Sequence, residues 1–110
     1  MVTAALPPAP ILIHADEFTF NGSRNFGPSG LWRINFNNIG EDQHDIWVLR
    51  RSTKRIVGHS KIYLPGEHGT ITVRLRPGTY TLYCAVANHR ALGMRWHMKV
   101  VKPKIRRTAP

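Results

Sequence analysis

An all-β sandwich or barrel is the fold class this 110-residue chain predicts, and three observations carry it. From Ile11 onward the apolar residues tend to alternate instead of recurring at helical spacing. Gly, Pro and Asn punctuate the chain between these short runs, as turn residues do between strands. No helix-length stretch has a convincing amphipathic pattern, and at most a single turn fits RSTKRI (51–56) or NHRALG (88–93).

The elements follow in order. IHADEFTF (13–20) alternates around Ile13, Phe18 and Phe20, and LWRINFNN (31–38) around Trp32, Ile34 and Phe36 before an Asn-rich turn. HDIWVLR (44–50) places Ile46 and Val48 on one face, with Trp47 and Leu49 on the other. TITVRLR (70–76) sets Ile71, Val73 and Leu75 against Thr72, Arg74 and Arg76, the cleanest half-buried strand in the chain. After a PGT turn comes YTLYC (80–84), and RWHMKVV (95–101) puts Trp96, Met98 and Val100 on one face.

A chain of this length buries about two-thirds of the surface its unfolded form exposes, so one domain with a real core needs no disulfide. With 42% hydrophobic and 20% charged residues the composition is globular, and no apolar run approaches the ~20 residues of a membrane span. MVTAALPPAP lacks the basic and apolar regions of a signal peptide and reads as a Pro/Ala-rich linker, left where a targeting or anchoring segment ended. The expected organisation is a linker over 1–10, one domain over 11–102 and a basic tail over 103–110.

Charge is unevenly placed along the chain. Residues 1–49 carry two basic and five acidic side chains, a balance of −3, whereas residues 50–110 carry fourteen and one, a balance of +13. A field of that size steers anionic partners, although solubility is an equally good reason for it.

The chemistry gathers in YTLYCAVANHRALGM (80–94), which places the only cysteine, Cys84, close to His89 and Met94. A thiolate, two imidazoles and a weak thioether suit copper: one Cys and two His make a trigonal set, and a long axial Met completes it. The second imidazole must come from another strand. His44, at the mouth of a strand after the polar turn NNIGEDQ, is the choice; His14, His59, His68 and His97 read as surface or satisfied histidines.

These residues resemble a known family, the cupredoxins or type 1 blue copper proteins, over about residues 31–101. The matching stretches are NNIGEDQH, LPGEHGTITV, RPGTYTLYC, ANH and GM. The Cys-to-His-to-Met spacing is most similar to that of rusticyanin. The resemblance implies a Greek-key β-sandwich or barrel, with His44, Cys84, His89 and Met94 holding one type 1 copper ion. It also implies a monomeric, non-enzymatic carrier of single electrons in a periplasmic or other extracytoplasmic setting, attached to a membrane, if at all, through a removed N-terminal segment. Electrons would leave where the edge of His89 reaches the surface inside an apolar rim of Val86, Ala87 and Leu92. Arg90 and Arg95 would steer an acidic redox protein there, a cytochrome or terminal oxidoreductase for example, and nucleic acid is not expected as a partner.

Two positions depart from the family pattern. Asp45 stands where Asn or Ser usually follows the first histidine, and a carboxylate there favours the oxidised ion unless it is engaged elsewhere. Trp96 stands where a small residue is common, so local packing must differ. Other readings stay open: a copper storage or delivery protein, a domain of a larger copper oxidoreductase, and a basic nucleic-acid-binding barrel with Trp32, Trp47, Tyr63 and Trp96 as stacking residues.

Overall fold

The computed structural model describes residues 7–103; most of the expected linker and basic tail lie outside the described residues. Alternating strands bury one face each, and that face must be covered by a second sheet. In β1 (Ala9–Asp16), Ile11, Ile13 and Ala15 point inward while Pro10, Leu12 and Asp16 are exposed. This strand opens at Ala9, ahead of the expected start at Ile11, because Ala9 and Pro10 already pair in parallel with Trp32 and Arg33 of β4 (Gly30–Asn38).

The expected single run over 13–20 is broken. Glu17 and Phe18 form a turn, and β2 (Thr19–Gly22) folds back antiparallel on β1. Ile13 and Phe20 have opposite parity, so a straight strand would send them to opposite faces. The reversal lets both enter the core, where Phe20 meets Phe36 edge-on at 5.9 Å.

Adding β7 (His68–Leu75), antiparallel to β4, completes the first sheet in the order β2-β1-β4-β7. The second sheet is built from β3 (Phe26–Pro28), β5 (Trp47–Arg50), β6 (Arg55–His59), β8 (Gly78–Tyr83) and β9 (Arg95–Val101). Its order is β3-β9-β8-β5-β6, so β7 and β6 are edge strands of the two sheets. RSTKRI makes the turn of the β5–β6 hairpin and the start of β6, while NHRALG supplies the one short helix among the described residues, α1 (His89–Leu92).

Between the sheets, Trp32, Ile34 and Phe36 form one buried cluster with Val48, Tyr80, Leu82, Met98 and Val100. Full burial of an apolar side chain of this size contributes about 1.5–3 kcal/mol. The polar ends of the buried aromatics are satisfied locally: the Trp32 indole N–H donates to the Pro28 carbonyl at 2.7 Å, and the Tyr80 hydroxyl to that of Arg76 at 2.8 Å. Trp32 and Tyr63 are buried, and Trp47 and Trp96 half-buried, so the aromatics serve the core and do not form a stacking platform. Trp96 lies against Gly22, which leaves no room for a Cβ, and its indole N–H donates to the Arg24 carbonyl at 2.9 Å. The large side chain thus closes β9 over the segment after β2.

Two segments leaving β4 and β8 converge at one end of the sandwich. Asn38, fully buried, donates from Nδ2 to the carbonyls of Asp42 and Tyr63 at 2.9 Å each, and its Oδ1 accepts the Gly40 N–H at 3.0 Å. The loop after β4 is therefore shaped before it reaches His44. A two-way backbone bridge between His44 and Tyr63, 3.1 and 2.8 Å, fixes the position of His44.

Candidate metal centre

Cys84 follows β8 directly, and the chain to Met94 closes on itself. The His89 N–H donates to the Val86 carbonyl, the Met94 N–H to that of His89, and the Cys84 N–H to that of Met94, at 3.1, 3.1 and 3.2 Å. Gly93, at φ +122°, takes the left-handed backbone that ends α1, a conformation few other residues accept. Met94 is fully buried.

His44, Cys84 and His89 come together at this end, all buried, with one donor atom of each within 4.8 Å of the others. Both imidazoles aim Nδ1 at the sulfur, 4.0 Å away for His44 and 3.6 Å for His89. Among the described residues this is the one such grouping. The other histidines are used elsewhere: His59 stacks on Trp47 at 4.2 Å, His97 shares a 3.0 Å hydrogen bond with Thr81, His68 is exposed and His14 half-buried.

A carboxylate holds one imidazole from behind, and another lies near the second. His89 Nε2–H donates to Asp42 Oδ2 at 3.1 Å, which fixes the tautomer and leaves the Nδ1 lone pair facing the sulfur. His44 Nε2 lies 3.5 Å from Glu17 Oε1, too long for a hydrogen bond, and is a buried nitrogen without a partner. Glu17 Oε1 also accepts the N–H groups of Glu41 and Asp42 at 2.7 and 2.6 Å, binding this loop to the turn after β1. Burial pushes the His44 pKa down, opposed by attraction to Glu17 and aided by repulsion from His89.

Asp45 is engaged in the way that matters for its departure from pattern. Its Oδ1 accepts the Ala85 N–H at 2.7 Å and its Oδ2 the Trp47 indole N–H at 3.0 Å, so the carboxylate ties the His44 loop to the cysteine loop. The Cys84 thiol is pushed up to about 11, first by burial; backbone hydrogen bonds from Asp45 and Val86 pull it down, and the Asp45 charge raises it. Without a cation, then, the sulfur keeps its proton at neutral pH.

One expectation fails. The edge of His89 does not reach the surface inside an apolar rim: the residue is 3% exposed, Asp42 covers Nε2, and Phe18 lies against the ring at 4.8 Å between centroids. Leu92 is exposed and Val86 half-buried, so an apolar margin exists beside it. Arg90 is exposed with its guanidinium 4.1 Å over the Tyr83 ring. Sequence reasoning missed Glu17, Phe18 and Asp42, and the only signal for any of them was the position of Asp42 in the polar turn just before His44.

A protein-family model matching this sequence was not found, nor was a curated relative. Solved structures do match. Dithionite-reduced auracyanin from the photosynthetic bacterium Roseiflexus castenholzii is 21% identical, with 88% of this chain and 99% of that one covered at a TM-score of 0.72. Auracyanin A, a "blue" copper protein from Chloroflexus aurantiacus, is 18% identical, with 86% and 100% covered at a TM-score of 0.75. A multicopper oxidase is 18% identical over 86% of this chain but only 45% of its own, at a TM-score of 0.62. The chain has the cupredoxin fold. In this cupredoxin sandwich the two loops that bring His44, Cys84 and His89 together leave the same end, and the Asp45 carboxylate fastens one loop to the other.

Proposed function

We propose that the chain is a type 1 copper protein that carries single electrons between redox partners. The observation that supports this best is the convergence of one thiol and two imidazole Nδ1 atoms in a buried pocket, on a fold shared with a blue copper protein. The donor set fits the ion: a soft sulfur and two neutral nitrogens would hold it, and Met94, buried in the same loop, would add a weak thioether. Copper, when bound, supplies the one-electron couple.

What the chain's own residues contribute is constancy. Asp42 holds His89 by its outer nitrogen, the Tyr63 bridge holds the His44 backbone, and Asp45 and Met94 bond to the backbone on either side of the sulfur. Fixed ligands need little rearrangement between oxidation states, which keeps the barrier to electron transfer low. Burial of Cys84, His44 and His89 excludes water from the same atoms.

A carrier role, without catalysis by this chain, is the reading favoured by the likeness to the whole length of a "blue" copper protein. An acidic redox protein is the partner that the net charge of +10 favours, with Arg90 beside the ligand loop. The monomeric state and the extracytoplasmic or periplasmic setting rest on the family resemblance. No helix among the described residues is long and apolar enough to cross a membrane.

Voltammetry of the copper-loaded protein tests the proposal. A reversible one-electron wave is expected, moving to higher potential in Met94→Leu with copper retained. Loss of copper to a mild chelator during cycling would favour storage or delivery instead.

A further inference from the structure

The end of the sandwich opposite Cys84 carries a second concentration of chemistry that the metal centre does not use. A cleft of about 340 Å³ opens there between the β5–β6 hairpin and the end of β7, lined by Arg50, Arg55, Arg74, Arg76, Thr53 and Tyr80, with Ile56 and Val57 completing it. β6 and β7 are edge strands, so no further strand covers the gap between them. Among the described residues, no Asp or Glu oxygen lies within salt-bridge distance of any of these guanidinium groups. Arg50 is anchored through Nη2, which donates to the Pro77 carbonyl at 2.9 Å, while its Nε is buried without a hydrogen-bond partner.

We propose that this cleft is a binding site for a compact anion bearing phosphate groups. Guanidinium forks match tetrahedral oxyanions with paired hydrogen bonds, and four of them around one concavity call for more than one negative charge. A lone carboxylate would leave most of that charge unanswered. Inorganic diphosphate and a phospholipid headgroup with two phosphates share the required chemistry. The site is independent of the metal centre, because β8 runs between Gly78 beside Arg50 and Tyr83 beside Cys84.

The test uses the isotope-labelled full chain and nuclear magnetic resonance. Adding inorganic diphosphate should give saturable shifts confined to residues 50–57 and 74–80, including the Arg50 Nε–H. The double variant Arg74→Gln/Arg76→Gln should weaken binding at least tenfold, whereas Arg90→Gln/Arg95→Gln, at the other end, should change it less than twofold. Sedimentation with vesicles containing cardiolipin, whose headgroup carries two phosphates, lost in the Arg74/Arg76 variant and competed by diphosphate, would assign the headgroup as the source. Saturation by diphosphate without vesicle binding would assign the free anion. Non-saturating shifts, equal weakening by both double variants, or tighter binding of polyglutamate than of diphosphate would each overturn the proposal, the last in favour of an acidic protein.

Discussion

The two ends of the sandwich handle charge in opposite ways. At the cysteine end, Glu17, Asp42 and Asp45 have their oxygens committed to N–H groups of neighbouring loops or to the outer face of an imidazole. At the far end, Arg50, Arg55, Arg74 and Arg76 face a cleft with no carboxylate to answer them. The first arrangement spends its charges on internal order and the second leaves them available. The lopsided charge along the chain thus becomes a lopsided molecule: anions are used to build one site, and cations are left facing outward.

If the cysteine end is the metal end, its variants should act on colour and potential while those of the arginine end do not. Cys84→Ser has the largest expected effect, complete loss of the sulfur-to-copper charge-transfer band with the fold kept, as read by circular dichroism. A metal-free sample should also respond to alkali. The thiol is raised from 9.0 to about 11, so its contribution to stability is complete below pH 9 and is lost as pH rises through 11, roughly 2–3 kcal/mol in all. Denaturant melts from pH 8 to pH 11 should show that slope, and Cys84→Ser should lack it.

Asp45→Ala unfastens the two ligand loops and leaves the Ala85 N–H without its acceptor, at a cost of about 2 kcal/mol in chemical denaturation. Asp42→Asn is subtler. It keeps a hydrogen bond to His89 but removes the charge that makes the ring a stronger donor to an oxidised ion. The potential should rise by about 40 mV, equivalent to about 1 kcal/mol for one electron. Arg74→Gln, at the other end, should leave both band and potential unchanged, and a shift as large as that of Asp42→Asn would erase the distinction between the two ends.

Local pattern made much of this legible. The alternation in TITVRLR and RWHMKVV fixes which side chains of β7 and β9 are buried, because period-two patterning is decided by the strand itself. The nearness of His89 to Cys84 follows from a short loop, and the nearness of His44 to both follows from its place at a strand mouth on the same end. What stayed hidden was set by contacts distant in sequence. The parallel pairing of β1 with β4 pulled Ala9 and Pro10 into the sheet, and the parity conflict in IHADEFTF was settled by a turn that only the folded core requires. Glu17 lies near His44 from the turn after β1, and Asp42 covers His89 from the loop between β4 and β5, so neither carboxylate could be assigned to an imidazole from spacing alone.

Titration of the purified full chain with Cu(II), followed by visible absorption, addresses the central claim most directly. An intense thiolate-to-copper band that saturates at one equivalent, together with loss of Cys84 reactivity toward a thiol reagent, is the predicted result. Copper uptake without a visible band, or with Cys84 still freely modified, would contradict it.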